Sequence, residues 1–324
     1  MKREDSIGAP LLSVCLITYN HAKYIRQAIE SVLMQEVDFS WELIVADDFS
    51  ADGTREILLE YKERYPEFIK LILQKENVGA AKNWIDLMTY SQASYIAYFE
   101  GDDYWTDPYK LQRQVDFLEG NSEYMVAYHR VDVLGEENAS LTLANQAVHE
   151  SHPFGFADSL QGKHGATLSM LFRADVIKQI PINFISKLAV GDWPLECCCT
   201  LLGKGYFLNE SMGVYRVHNQ GINNTLKKSD FFNSRVGLAE HLLKLPVSQK
   251  YRPLLKKFLF RAYILKFIYY LQRQHHTTAL KALLASVPYF YMNCLNDDVN
   301  WVSSFQIKEP LNKLLIKLRK KFNA

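Results

Sequence analysis

The chain has 324 residues, 48% of them hydrophobic and 13% aromatic, with 37 Lys and Arg against 36 Asp and Glu. That length and apolar content bury a sizeable core and exclude a disordered, collagen-like or low-complexity protein. Five cysteines, three of them consecutive at Cys197, Cys198 and Cys199, have the spacing of neither a disulfide framework nor a zinc site, which points to a reducing compartment.

The N-terminal MKREDSIGAPLLSVCLITYN carries no signal-peptide pattern. Leu11 to Thr18 is a short apolar run rich in β-formers and predicts a buried parallel strand. Apolar spacing near 3.6 (Ile25, Ala28, Ile29, Val32, Leu33) predicts a helix over 24–34. A second strand, 42–46, ends at Asp47-Asp48, and the turn residues Ser50, Asp52 and Gly53 lead into a helix over 54–65. A third strand (68–73), a loop holding Gly79, a helix over 82–89 and a fourth strand (95–99) follow, the last ending at Glu100-Gly101-Asp102-Asp103. This alternation predicts an α/β fold, an open and mainly parallel sheet with helices on both faces. Ligands in such sheets bind beyond the carboxyl ends of the strands. Thr18-Tyr19-Asn20, Asp47-Asp48 and Asp102-Asp103 all fall there.

Further along, Asp107-Pro108 opens a helix with proline in its first turn, and 125–133 reads as a strand. Residues 135–163 are polar and irregular and read as a mobile excursion. A strand over 167–172, a short helix over 174–179, a Gly191-Asp192-Trp193-Pro194 turn followed by a helix through Leu202 that Gly203 stops, and strands at 206–209 and 214–218 complete this part. From about residue 230 the pattern is helical. Residues 226–324 hold 18 basic and 5 acidic side chains (+13), leaving the first 225 with 19 basic and 31 acidic (−12). We therefore expect two regions, 1–225 and a basic helical 226–324, with different tasks. No run of about 18 uncharged apolar residues predicts a spanning helix. The richest stretch, 258–271, is interrupted by Arg261 and Lys266.

Several of these residues carry chemistry by type and position. Adjacent Asp102 and Asp103 at a strand end, with Glu100 two residues earlier, suit Mg²⁺ or Mn²⁺ bridging phosphates; an acidic turn in solvent is the alternative. Asp47 either accepts a hydrogen bond from a nucleobase or belongs with Asp48 to turn chemistry. Lys82 reaches a phosphate or is an ordinary helix-surface lysine. Asn77-Val78-Gly79 lies in a loop without P-loop spacing. Asp192 either caps a helix or acts as a general base, and burial beside Trp193 predicts a pKa tuned upward. His218 is a structural residue or a metal ligand. The cysteine run reads as core, and His275-His276 as surface. Trp105 and Trp193 either stack on a ligand or pack in the core, and the place of Trp105 directly after the Asp pair leans toward the site.

Taken together, SVCLITYNHAKYIRQAIESVLMQ, ELIVADDFSADGT, ENVGAAKN, AYFEGDDYWTDPYKLQRQVDFLE, GDWPL and VYRVH resemble the family 2 glycosyltransferases, nucleotide-sugar enzymes of the GT-A fold, over about residues 11–220. The resemblance implies nucleotide contacts from Thr18, Asn20, Asp47 and Asp48, with Asn77 and Lys82 completing the pocket. It implies Asp103 at the metal, Asp102 at the ribose or metal, Asp192 as catalytic base, and His218 assisting metal or diphosphate. Many members read Asp-x-Asp where this chain has Glu100-Gly101-Asp102, which leaves the role of Glu100 open. The implied reaction is an inverting, metal-dependent transfer from a nucleotide sugar, with UDP-sugar favoured, to a saccharide or lipid-linked saccharide in surface polysaccharide or glycolipid synthesis.

The alternatives are a sugar nucleotidyltransferase, which lacks here its glycine-rich basic triphosphate loop, and a non-catalytic sugar-nucleotide-binding module. The segment 311–322 has one apolar and one cationic face, so it either meets an anionic membrane surface or packs with its basic face in solvent. Nucleic acid is not an expected partner. The expected location is cytoplasmic, with peripheral contact at the inner face of the membrane.

Overall fold

The computed structural model describes residues 9–135, 141–143, 150–218 and 227–289. It divides into two compact units, Met1–Arg252 and Pro253–Ala324.

The first unit is built on one mixed sheet. Strands β1 (Leu12–Thr18), β2 (Trp41–Asp47), β3 (Ile69–Leu73) and β4 (Tyr95–Glu100) are mutually parallel in the order β3-β2-β1-β4. Every residue of β1 is buried, which is why its sequence is a continuous apolar run rather than an alternating one. Helices α1 (Ile25–Leu33), α2 (Thr54–Arg64) and α3 (Ala80–Tyr90) make the crossovers. Ile25, Ala28, Ile29 and Val32 of α1 bury one stripe into a core shared with Leu12, Val14, Leu16, Leu43 and Val45. A Leu16→Ala truncation there should cost about 2–5 kcal/mol.

Beyond β4 the strands mix direction. They are β5 (Tyr104–Trp105), β6 (Tyr124–Gly135), β7 (Leu141–Leu143), β8 (His152–Phe154), β9 (Leu171–Arg173) and β10 (Lys204–Val217). Strand β9 lies antiparallel between β4 and β6, β6 runs parallel to β10, and β5 pairs antiparallel with β10. Helices α4 (Lys110–Gly120), α5 (Phe156–Gln161), α6 (Asp175–Gln179), α7 (Asp192–Leu202) and α8 (Lys228–Leu242) complete the unit.

The structure departs from the sequence expectations at several points. The excursion expected over 135–163 holds ordered elements: β8 pairs with β10, and α5 follows it. The residues 136–140 and 144–149 of that excursion lie outside the described residues. The strands expected at 206–209 and 214–218 are one strand, β10, whose register against β6 shifts near Ser211, so the break in apolar alternation marks bulges rather than a loop. The strand expected over 167–172 is a single 3₁₀ turn, Thr167–Ser169, followed by β9. Pro108 precedes α4 rather than lying in its first turn.

The second unit contains α9 (Arg252–Gln272) from Pro253 onward and α10 (His276–Ser286). Its apolar cluster is Phe267 and Ile268 of α9 with Ala279 and Ala282 of α10. The segment 311–322 lies outside the described residues. Among those described, no helix is long and apolar enough to cross a membrane.

Candidate active site

The sheet register brings the polar strand ends together. Thr18 pairs across from Asp47, and Ile17 from Glu100, so the C-terminal ends of β1, β2 and β4 form one rim. Four buried oxygens on it, Thr18 Oγ1, Asp47 Oδ1, Asp102 Oδ1 and Asp103 Oδ2, have no hydrogen-bond partner among the described residues. Buried polar atoms are nearly always satisfied, so four orphans on one rim mark a place where a ligand supplies the partners. Gly101 allows this crowding: a Cβ there would lie 2.8 Å from Thr18 Oγ1 and 2.9 Å from Ile25 Cδ1.

On one side of the rim, Asp47 is fully buried. Its Oδ2 accepts from Arg55 Nε at 2.9 Å and from the Ser50 amide at 3.2 Å, which fixes the carboxylate and leaves Oδ1 open. Asp48 Oδ1 accepts from the Val78 amide at 2.8 Å and ties the 77–79 loop to the strand end; burial raises its pKa. Asn20 stands in the left-handed region (φ 56°), and its Oδ1 accepts from the Ala51 amide at 2.9 Å. That bond ties Asn20 to the 50–52 turn. Asn77 is exposed, and its Oδ1 accepts from the Gly79 amide at 3.1 Å. Lys82 is exposed and paired with Asp86 on its own helix, so in this structure it occupies the helix surface rather than the rim.

On the other side lies the acidic cluster. One ligand oxygen from each of Glu100, Asp102 and Asp103 falls within 4.8 Å of the others. His218 Nε2 lies 2.9 Å from Asp102 Oδ2, and His21 Nε2 lies 3.8 Å from the same oxygen. Asp103 Oδ1 accepts from the Arg216 amide at 2.8 Å. The Arg216 guanidinium donates to the Asp102 carbonyl and to Gln27 and lies over the Tyr24 and Tyr104 rings, pinning the end of β10 onto the acidic turn. Burial, and then the mutual repulsion of the carboxylates, pushes Glu100 up to about 8 and Asp103 well above the usual range. Three converging carboxyls, of which Glu100 and Asp103 resist ionisation and Asp102 and Asp103 each keep an orphaned oxygen, fit a hard divalent cation.

Asp192 opens α7 after Gly191. Its Oδ2 pairs with the Lys163 ammonium and accepts from Thr167 Oγ1 at 3.0 Å, while Oδ1 accepts from the Trp193 amide at 2.7 Å. This corrects the upward pKa expected from burial. Burial does push upward, but Lys163 overrides it, and with Thr167 and the Trp193 amide holds Asp192 below the ordinary carboxylate value. Glu100 feels the charges of both Asp192 and Lys163, so Asp192 borders the acidic cluster.

The tryptophans face the core instead of the rim. Trp105 is 1% exposed and donates from Nε1 to the Leu168 carbonyl at 2.8 Å; Trp193 is 8% exposed and donates to the Ser159 carbonyl at 2.6 Å. Both satisfy their single polar group in the interior, which removes the ligand-stacking reading. The cysteine run is buried as expected, and His275 and His276 are exposed. Sequence reasoning missed Arg55, Arg216, Lys163 and the pair His164–Glu196, in which His164 Nδ1 lies 2.7 Å from Glu196 Oε1. Only the two arginines had a signal, since each adjoins a segment already singled out.

The sequence model described as Glycosyl transferase family 2 matches residues 13–174. The uncharacterized protein Rv1520 of Mycobacterium tuberculosis is 35% identical over 218 residues, 65% of this chain and 60% of that protein. The chain thus spans under two thirds of that relative's length. The Escherichia coli protein named UDP-Glc:alpha-D-GlcNAc-diphosphoundecaprenol beta-1,3-glucosyltransferase WfgD is 33% identical over 122 residues, 37% of this chain and 46% of that one. Among solved structures, S. aureus TarS 1-349 in complex with UDP-GlcNAc superposes with a TM-score of 0.66 at 17% identity, over 86% of this chain and 81% of that one. At that identity the likeness is one of fold.

Proposed function

The chain belongs to glycosyl transferase family 2, and we propose that it moves a sugar from a nucleoside-diphosphate donor to a hydroxyl of a saccharide or lipid-linked saccharide acceptor. The observation that carries this reading is the single rim on which Thr18, Asp47, Asp102 and Asp103 each present a buried oxygen without a partner. The UDP-sugar named for WfgD and the UDP-GlcNAc bound to TarS favour UDP as the nucleotide. The lipid-linked acceptor named for WfgD favours a place in surface polysaccharide or glycolipid assembly, with the catalytic residues within 1–225 and the basic 226–324 beside a membrane.

In this reading Asp47 Oδ1 takes the nucleobase N–H, its carboxylate held in place by Arg55. Thr18 and the loop tied to Asp48 enclose the nucleoside, with Asn20 and Asn77 bracing its turns and Lys82 completing the pocket by leaving Asp86. Asp102 and Asp103, with Glu100 beside them and His218 on Asp102, hold Mg²⁺ or Mn²⁺. When bound, that cation neutralises the charge developing on the leaving diphosphate. Asp192 removes the proton of the acceptor hydroxyl as its oxygen bonds to the anomeric carbon, and the bond to the diphosphate breaks on the opposite face, inverting the centre. A carboxylate has about four lone-pair sites. Lys163, Thr167 and the Trp193 amide occupy three, which leaves one for the hydroxyl.

The test is nucleotide release from UDP-, GDP- and TDP-sugars with Mn²⁺, for wild type and Asp192→Asn. Release from one nucleotide class that collapses in the variant supports the reading. Release unchanged by the variant removes Asp192 from its role, and failure of the wild type to bind any of these donors by calorimetry contradicts the transferase.

A further inference from the structure

We propose that α10 is a docking face for an anionic lipid bilayer. This deepens the membrane side of the function proposed above and takes from that reading only its purpose, to bring the enzyme to a lipid-linked acceptor.

The helix has two apolar sides. One is used: Ala279 and Ala282 are buried in the cluster with Phe267 and Ile268 of α9. The other is bare. Leu280, Leu284 and Val287 are 55%, 61% and 53% exposed. They stand at i, i+4 and i+7, so they form one stripe rather than scattered surface residues. Lys281, also exposed, flanks it.

The charge of the sequence that carries this stripe points to what covers it. Within the same unit, Pro253 to Asn296 holds no acidic residue but six Lys and Arg. Such a run disfavours a second copy of the same surface, because cations would face cations with nothing to pair them. It also disfavours a basic protein partner. An anionic bilayer satisfies both features at once: the leucines enter the boundary between headgroups and acyl chains, and the long cationic side chains reach the headgroups. With no described helix able to span, the contact is interfacial and reversible.

The test is flotation of the full chain with phosphatidylcholine vesicles containing about 30 mol% phosphatidylglycerol, against phosphatidylcholine alone. The proposal predicts binding to the anionic vesicles only, weakened at high salt. Leu280→Glu/Leu284→Glu should lower that binding roughly ten-fold or more, and Lys281→Glu by less. The double variant should keep the wild-type Tm, since both side chains are more than half exposed, and should keep any thermal shift with UDP. Equal binding to both vesicles, binding to neither, or full binding by the double variant would each overturn it. So would loss of a dimer by light scattering in the double variant without vesicle binding by the wild type, which assigns the stripe to a second copy. Vesicle binding without nucleotide binding leaves this surface standing while the transferase reading fails. Nucleotide binding without vesicle binding does the reverse.

Discussion

The Lys163 ammonium and the Asp192 carboxylate pair at the start of α7, each with only a quarter of its side chain exposed. Lys163 thus sits against the carboxylate that serves as the base in the proposed mechanism. The geometry makes Lys163 a positioning residue: it keeps Asp192 charged and fixes where its oxygens point.

Removing that cation has a definite sign. Asp192 has a depressed pKa, so the folded chain holds it ionised below the ordinary carboxylate range near 4. The pair therefore contributes stability present above the unfolded pKa and lost as pH falls through the folded one. In Lys163→Met the cation is gone, burial outweighs the Thr167 and Trp193 donors, the Asp192 pKa climbs, and the acid limb of nucleotide release moves to higher pH. Lys163→Arg should restore the wild-type limb. A limb unmoved in Lys163→Met contradicts this role.

Asp192→Asn keeps the shape and removes the base. Loss of general-base assistance should slow turnover by roughly 10²–10⁴-fold while the Kd for the UDP-sugar changes little. Paired measurement of kcat and donor Kd separates this from a folding defect, which would move both.

Lys110, in the core, supplies a stability prediction. It is fully buried, its Nζ has no hydrogen-bond partner among the described residues, and it lies 3.9 Å from the centroid of the Trp105 ring. The indole face offsets part of the cost of burying charge. Burial lowers the Lys110 pKa well below the usual value. The unfolded chain therefore binds a proton there that the folded chain does not, so stability should rise with pH up to about 10.4. Lys110→Met, of similar length, should raise the Tm at neutral pH and flatten this rise. A lower Tm in the variant would mean that the ammonium is charged and stabilised in place.

Gly101→Ala probes the crowding between β4 and β1. The added methyl would meet Thr18 Oγ1 and Ile25 Cδ1 below 3.0 Å, so one of them must shift. Nucleotide affinity should fall, because Thr18 stands on the rim, with a Tm loss of about 1–3 kcal/mol equivalent typical of overpacking. Calorimetry with UDP and a melting curve read the two effects.

Much of this was legible in the sequence where local chemistry and tertiary role coincide. The continuous apolar run of Leu12–Thr18 is a strand because it is buried on both faces, and the polar residues beyond it had nowhere to be but the rim. The alternation that placed Thr18, Asp47 and Asp102 together is a property of parallel sheets, so three strand ends were enough. Lys163 had no such marker. It lies in a polar stretch with no periodicity, and only the packing of that stretch on α7 makes it a partner of Asp192. The pKa direction failed for the same reason, since burial was foreseeable and the cation that reverses it was not. Trp105 misled by adjacency: next to the Asp pair in sequence, it turns inward because β5 pairs with β10 and sends its indole to Leu168.

The most direct measurement is a thermal-shift titration with UDP, with and without Mn²⁺, on wild type and Asp103→Asn. The account predicts a rise in Tm for wild type that requires the cation and is lost in the variant, because Asp103 Oδ2 is one of the orphaned oxygens of the rim. The same shift in Asp103→Asn, or a shift in wild type indifferent to Mn²⁺, would contradict the assignment of the acidic cluster to a cation and diphosphate.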